Sequence, residues 1–191
     1  MKIYDISQPV MTCVVFPGDP APESRRLLSV DKGDVCNLTA FSMCAHNGTH
    51  IDAPFHFLSQ GKRLDQLPLD TWIGPAWVVS HNGEVSGEDA RAMLETTHAE
   101  RLLIRGKAVV TQEAAAVFAQ GGLKLVGNES QTVGPENAPK QVHLILLGAE
   151  VALLEGIRLA HVPDGEYLLN AAPLNLGAID GAPCRAVLMK L

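Results

Sequence analysis

Three of the chain's seven histidines and one carboxylate fall within the eleven residues His46-Asn47-Gly48-Thr49-His50-Ile51-Asp52-Ala53-Pro54-Phe55-His56. Imidazole and carboxylate are the side chains that hold Zn2+, Mn2+ and similar ions. Several of them converging leave a cation partly coordinated and open to water and substrate, as a metal-dependent enzyme requires. His46 and His50 have the spacing of two residues on one helix face, but the local residues refuse a helix. Asn47-Gly48 lies between them, Thr49 and Ile51 are β-branched, and Pro54 would break the helix one turn later. A fully extended segment fails too, because His46 and Asp52 would then stand about 20 Å apart at roughly 3.3 Å per residue. The consistent solution is a turn at Asn47-Gly48, with Gly48 supplying a positive φ or a close backbone approach. An extended piece follows, on which His50, Asp52 and His56 project to one side by period two.

Such a segment must be positioned by a larger frame. A length of 191 residues suits one compact domain, residues 1–191, that buries most of the surface its unfolded form exposes. With 47% hydrophobic and 19% charged residues the chain is ordinary globular material, and 12 Pro with 17 Gly point to many turns. Short apolar or alternating runs predict strands over residues 2–6, 35–45, 76–80, 101–105, 123–127, 150–155, 166–171 and 184–190. Cap signals predict helices over Ser86–Glu95, Gln112–Gln120 and Pro139–Leu147. Strands dominate early and the second half alternates strand and helix, which favours an α/β domain with a mixed sheet core and flanking helices. Glu155 follows Val151-Ala152-Leu153-Leu154 and so falls at the end of a buried strand, where α/β sites gather.

Partners are bounded by charge and composition. A formal net charge of −6, with no basic cluster larger than Arg25-Arg26 or Lys62-Arg63, argues against nucleic acid and for a small-molecule substrate. The N-terminus lacks the apolar core of a signal peptide and no apolar run approaches 18 residues, so no membrane partner and a cytoplasmic location are expected. Cys13, Cys36, Cys44 and Cys184 form no C-x-x-C pair and read as free thiols. No G-x-S-x-G elbow supports a serine hydrolase.

The pattern H-x-G-T-H-x-D-x-P-x-H resembles the signature of the cyclase-like family of metal-dependent hydrolases, which includes bacterial kynurenine formamidases and isatin hydrolases. The resemblance extends to Asp5-Ile6-Ser7-Gln8-Pro9, to Pro17-Gly18-Asp19 and to the stretch from Asp180 to Leu188. It implies a swivelling β/β/α fold and a homodimer or larger assembly. It also implies two divalent metal ions, Zn2+ first and Mn2+ as the alternative. His46, His50 and Asp52 would be ligands of one ion, with Asp52 bridging to the second. His143, and Glu155 twelve residues later, would be the second ion's ligand and the second bridge. His56 would be the catalytic acid/base. The substrate implied is a small aryl formamide like N-formylkynurenine, bound in part by an aromatic residue before Pro-Gly-Asp; this chain has Phe16 where the formamidases have Trp. The stretch Val126–Val133 also departs from the family's usual V-G-I-D-T-x-S-V. A cyclic amide or lactone hydrolase, and a metal-stabilised binding protein without efficient catalysis, are the alternatives. Asp180-Gly181 reads as a turn, Arg185 as an anchor of the last strand, and Trp72 and Trp77 as core or subunit contacts.

Overall fold

The computed structural model describes residues 1–190. Its frame is a nine-stranded mixed sheet. Four strands run parallel at its centre: β5 (Ile73–Ser80), β7 (Arg101–Arg105), β9 (Leu125–Asn128) and β10 (Ala152–Glu155). Antiparallel strands flank them. Beyond β5 lie β11 (Gly165–Asn170), β13 (Val187–Lys190) and β1 (Lys2–Asp5), and beyond β10 lie β4 (His50–Asp52) and β12 (Gly181–Pro183). The sheet curls. The chain leaving β1 crosses to the opposite flank, where the Gln8 amide donates to Thr49 Oγ1 beside β4 and Arg158 N donates to Ile6 O.

Successive side chains on a strand point to opposite faces, and here each face meets its own apolar layer. Leu103, Leu154, Ile51 and Tyr167 belong to the core inside the curl. Leu102, Ile104, Val126 and Leu153 pack on the outer side with helical residues such as Phe118, Val142 and Leu146. Full burial of one such side chain stabilises by about 1.5–3 kcal/mol. The same alternation decides where chemistry sits: with Ile51 inside, His50 and Asp52 face outward, and with Leu154 inside, Leu153 and Glu155 do.

The helices on that outer side start and stop on local signals. For α1 (Gly87–Thr97), Ser86 accepts from Asp89 N while its own amide donates to the Asp89 carboxylate. For α2 (Gln112–Gln120), Thr111 accepts from Ala114 N. The third, α3 (Lys140–Gly148), lies beside β10. All three fall within about two residues of the segments expected. Short strands β6 (Gly83–Val85) and β8 (Ala108–Val110) pair in parallel, and β2 (Glu23–Leu28) with β3 (Leu38–Ser42) forms a largely exposed hairpin.

One local expectation needs correction. The extended piece after the Asn47-Gly48 turn stops at Asp52, and Pro54–His56 forms a turn of 3-10 helix. Pro at the first position of that turn has φ preset for helix and its missing N–H costs nothing there, so it starts a helical turn rather than continuing a strand. His56 therefore reaches the same region by chain reversal, not by period two.

Candidate metal centre

Register brings the distant residues together. β10 and β4 are antiparallel, with Glu155 opposite His50 and Leu153 opposite Asp52, so two acidic side chains and one imidazole share the outer face. His143, one turn into α3, lies over them. Its Nε2 is 3.2 Å from Glu155 Oε1 and 3.6 Å from Asp52 Oδ2. His50 Nε2 is 3.3 Å from Asp52 Oδ1 and 3.5 Å from Glu155 Oε2. His46 arrives from the loop before β4, where Gly48 takes a φ of 72°, and sets Nδ1 2.8 Å from Asp52 Oδ1. Three groups of close donors result: His46-His50-Asp52 and Asp52-His143-Glu155, which share Asp52, and the less buried His46-His56-Asp180.

The outer nitrogen of each ring is occupied. His50 Nδ1 donates to Gly48 O at 3.0 Å and His143 Nδ1 to Pro139 O at 2.9 Å, while His46 Nε2 lies 2.8 Å from Asp180 Oδ2. A ring whose outer N–H is so held turns its other nitrogen inward, the arrangement typical of metal-ligating histidine. Three inward imidazole nitrogens and two carboxylates match the borderline donor set that divalent cations such as zinc take.

Electrostatics agree with that fit. Burial opposes charge on His46, but hydrogen bonds to Asp180 and Asp52 outweigh it and raise its pKa to about 11. His50 is likewise raised to about 9, against burial, by Asp52 and Glu155. Burial pushes the Asp52 carboxyl up, yet His46 and His50 hold it well below its ordinary range. Glu155 is lowered by His143 and His50 against burial and the Asp52 charge. Nitrogens that bind protons this firmly face carboxylates that stay ionised, and a divalent cation satisfies the same contacts by displacing the protons.

His56 differs. Burial lowers its pKa, its Nε2 stands 4.0 Å from Asp52 Oδ2, and it groups with His46 and Asp180 rather than with either set that shares Asp52. Its ring stacks on His46 with centroids 3.9 Å apart, and Phe57 packs on His56 edge-on and against His143. A cavity of about 250 Å³ opens over the cluster, lined also by Phe16, Asp19, Gln131 and Thr132. Phe16 is one of the cavity's aromatic lining residues, its loop tied down by Gln131 Nε2 donating to Val14 O. The buried Thr132 hydroxyl has no partner among the described residues. A roomier cleft of about 430 Å³, between Gln8, Phe41 and Leu174, contains no histidine.

All seven residues singled out from the sequence, His46, His50, Asp52, His56, His143, Glu155 and Phe16, line this cavity or the carboxylate cluster beneath it. Sequence reasoning missed Asp180. It reads locally as a turn residue, yet its carboxylate touches both His46 and His56. Arg185 pairs with Asp5, as an anchor of the last strand should, and Trp72 is core.

Fold and donor set together define an α/β protein with a divalent-cation site at the carboxyl end of a parallel strand. Residues 4–135 match the Cyclase family model, described as "Putative cyclase". A kynurenine formamidase of Bacillus anthracis is 33% identical across 98% of this chain and 97% of its own length. A solved structure described as a potential metal-dependent hydrolase with cyclase activity is 27% identical, with a TM-score of 0.83 over 98% of this chain and 96% of its own. Isatin hydrolase A from Labrenzia aggregata, 21% identical, shares the fold with a TM-score of 0.83 over 98% of this chain and 93% of its own. The chain belongs to the cyclase family of hydrolases.

Proposed function

We propose that this protein hydrolyses the C–N amide bond of a small aryl formamide, with cations held by His46, His50, Asp52, His143 and Glu155. The observation that carries this is Asp52, a buried carboxylate shared by two donor groups, with the Nε2 of His56 4.0 Å away. Divalent ions at such a site supply an acidified water and a Lewis acid for the scissile carbonyl. His56, its pKa lowered by burial, is neutral near pH 7. Its Nδ1 faces Asp180 at 3.3 Å, leaving Nε2 free to take a proton from the attacking water and deliver it to the departing arylamine nitrogen. Phe16 offers an apolar face to the aryl group, and Phe57 helps exclude water beside His56 and His143.

Two ions, Zn2+ before Mn2+, fit the shared carboxylate and the three imidazoles. The proposal takes the chain as one domain and the protein as cytoplasmic, in keeping with four free cysteines, and as a homodimer or larger assembly, in keeping with exposed Leu27, Leu38 and Phe41 on the hairpin. No helix is long and apolar enough to cross a membrane. The test is a panel of N-formyl arylamines, isatin-like lactams and lactones, assayed with zinc-loaded and chelated protein. Formamide hydrolysis lost on chelation and restored by Zn2+ or Mn2+ supports the proposal. Preference for lactams would move the substrate class, and full activity without metal would sink it. No turnover despite full metal loading would leave a binding protein.

A further inference from the structure

We infer that Asp180 is a positioning residue that, through a single carboxylate oxygen, fixes the ring orientation and tautomer of both His46 and His56. Asp180 Oδ2 lies 2.8 Å from His46 Nε2 and 3.3 Å from His56 Nδ1. The two rings stack, with an interplanar angle of 28°, so that both edges meet the same oxygen. Nothing else among the described residues is hydrogen-bonded to either of these nitrogens.

The consequence follows from what an ionised carboxylate can do. It only accepts hydrogen bonds, so each ring nitrogen facing it must carry the hydrogen. His46 then keeps its hydrogen on Nε2 when a cation displaces the proton that Nδ1 shares with Asp52, so Nδ1 is the nitrogen left to the cation. His56 is Nδ1–H, which frees Nε2 toward the cavity. One side chain thus sets up a ligand and a proton carrier together. The fold does not need this carboxylate: the backbone carbonyl of Asp180 is what accepts from Ala53 N, at 2.9 Å, and the side chain is 35% exposed.

The part concerning His56 in catalysis rests on the hydrolase proposal; the parts concerning tautomer and metal affinity do not. The test compares the full-length protein with Asp180→Ala and Asp180→Asn, all loaded with Zn2+. Long-range 1H–15N spectra of the histidine rings are expected to show His56 as a single Nδ1–H tautomer in the wild type and as a mixture in Asp180→Ala. Zinc affinity, measured by chelator competition, is expected to fall about 10–100-fold, the usual cost of losing a carboxylate behind a ligating histidine. With an N-formyl arylamine as substrate, kcat should fall by a similar factor while KM changes little. Asp180→Asn keeps the size of the side chain and one accepting oxygen, which in the place of Oδ2 can accept from both rings but without the negative charge, so it should give smaller losses of zinc affinity; it also carries the test if Asp180→Ala does not fold. An unchanged His56 tautomer together with unchanged zinc affinity in both variants would overturn the inference. If the wild type hydrolyses no formamide, the hydrolase proposal falls, and the spectra and zinc affinity still decide the role of Asp180.

Discussion

Gly181 sits beneath the His46 ring, and replacing it with alanine is a direct probe of how tightly that proposed ligand is packed. A Cβ at position 181 would lie 2.6 Å from His46 Cε1 and 2.7 Å from Ile51 O. Carbons in ordinary contact are about 3.5–4.0 Å apart, so the overlap with the ring is close to an ångström. Gly181 has no left-handed φ, and space alone forbids the methyl. Ile51 O cannot retreat, because β4 is held between β10 and β12. The ring must therefore yield, although hydrogen bonds of 2.8 Å to Asp52 and to Asp180 hold both its nitrogens.

Overpacking of this kind costs about 1–3 kcal/mol. For a chain of this size each kcal/mol moves Tm by roughly 2–4 °C, so calorimetry on chelated Gly181→Ala protein should show a fall of about 2–12 °C. Displacing the His46 Nδ1 should also weaken zinc binding, by about tenfold or more in chelator competition. Gly148→Ala is the control. Nothing lies within 4 Å of a Cβ there and the residue is the last of α3, so stability should hold or rise by about 0.4–1 kcal/mol. Wild-type Tm and wild-type zinc affinity in Gly181→Ala would mean that the ring has room to move, and the tight seating of His46 would be refuted.

Zinc binding must displace protons from His46 and His50, whose pKa values are raised to about 11 and about 9. Affinity should therefore climb roughly 100-fold per pH unit from 7 to 9 and roughly tenfold per unit from 9 to 11. Titration calorimetry near pH 7.5 in buffers of different ionisation enthalpy should count at least two protons released, and a pH-independent affinity would contradict this. In chelated protein the raised His46 contributes stability that is complete below its unfolded pKa near 6.5 and is lost as pH rises through about 11. The lowered Asp180 contributes stability that is complete above about 3.8 and is lost as pH falls through about 2. His56→Ala should retain zinc while formamide turnover drops about 10²–10⁴-fold; loss of zinc instead would make His56 a ligand. Alkylation followed by mass spectrometry should label exposed Cys36 first and Cys184 last, since burial pushes the Cys184 thiol up to about 12.

What could be read from the sequence was local. The helices carry their own start signals at Ser86 and Thr111, and the crowding of His46, His50 and Asp52 within one short segment marks a metal site before any fold is known. His56 shows the limit of period counting: Pro54 can enter an extended segment or open a helical turn, and the choice is made by tertiary contacts such as Phe55 N donating to Lys62 O. His143 and Glu155 were nameable chiefly by resemblance, because a histidine in an apolar helix and a glutamate ending an apolar strand are each commonplace.

Sheet order is what turns those commonplace residues into a site. β10 is the last of the four parallel strands, and its carboxyl end carries Glu155. Because the next strand, β4, is antiparallel, its first residue rather than its last lies opposite that end, and the residue is His50. A parallel neighbour would have put Asp52 there and sent His50 to the far end of the strand. β12 then adds a further antiparallel strand, with Gly181 opposite Asp52, which carries Asp180 to the edge where the His46 loop and the Pro54 turn converge. An Asp-Gly pair read alone is a turn, and nothing in its neighbours announces which strand it will lie beside. The unread part of the site is therefore the part made by long-range register, and Asp180 belongs wholly to it.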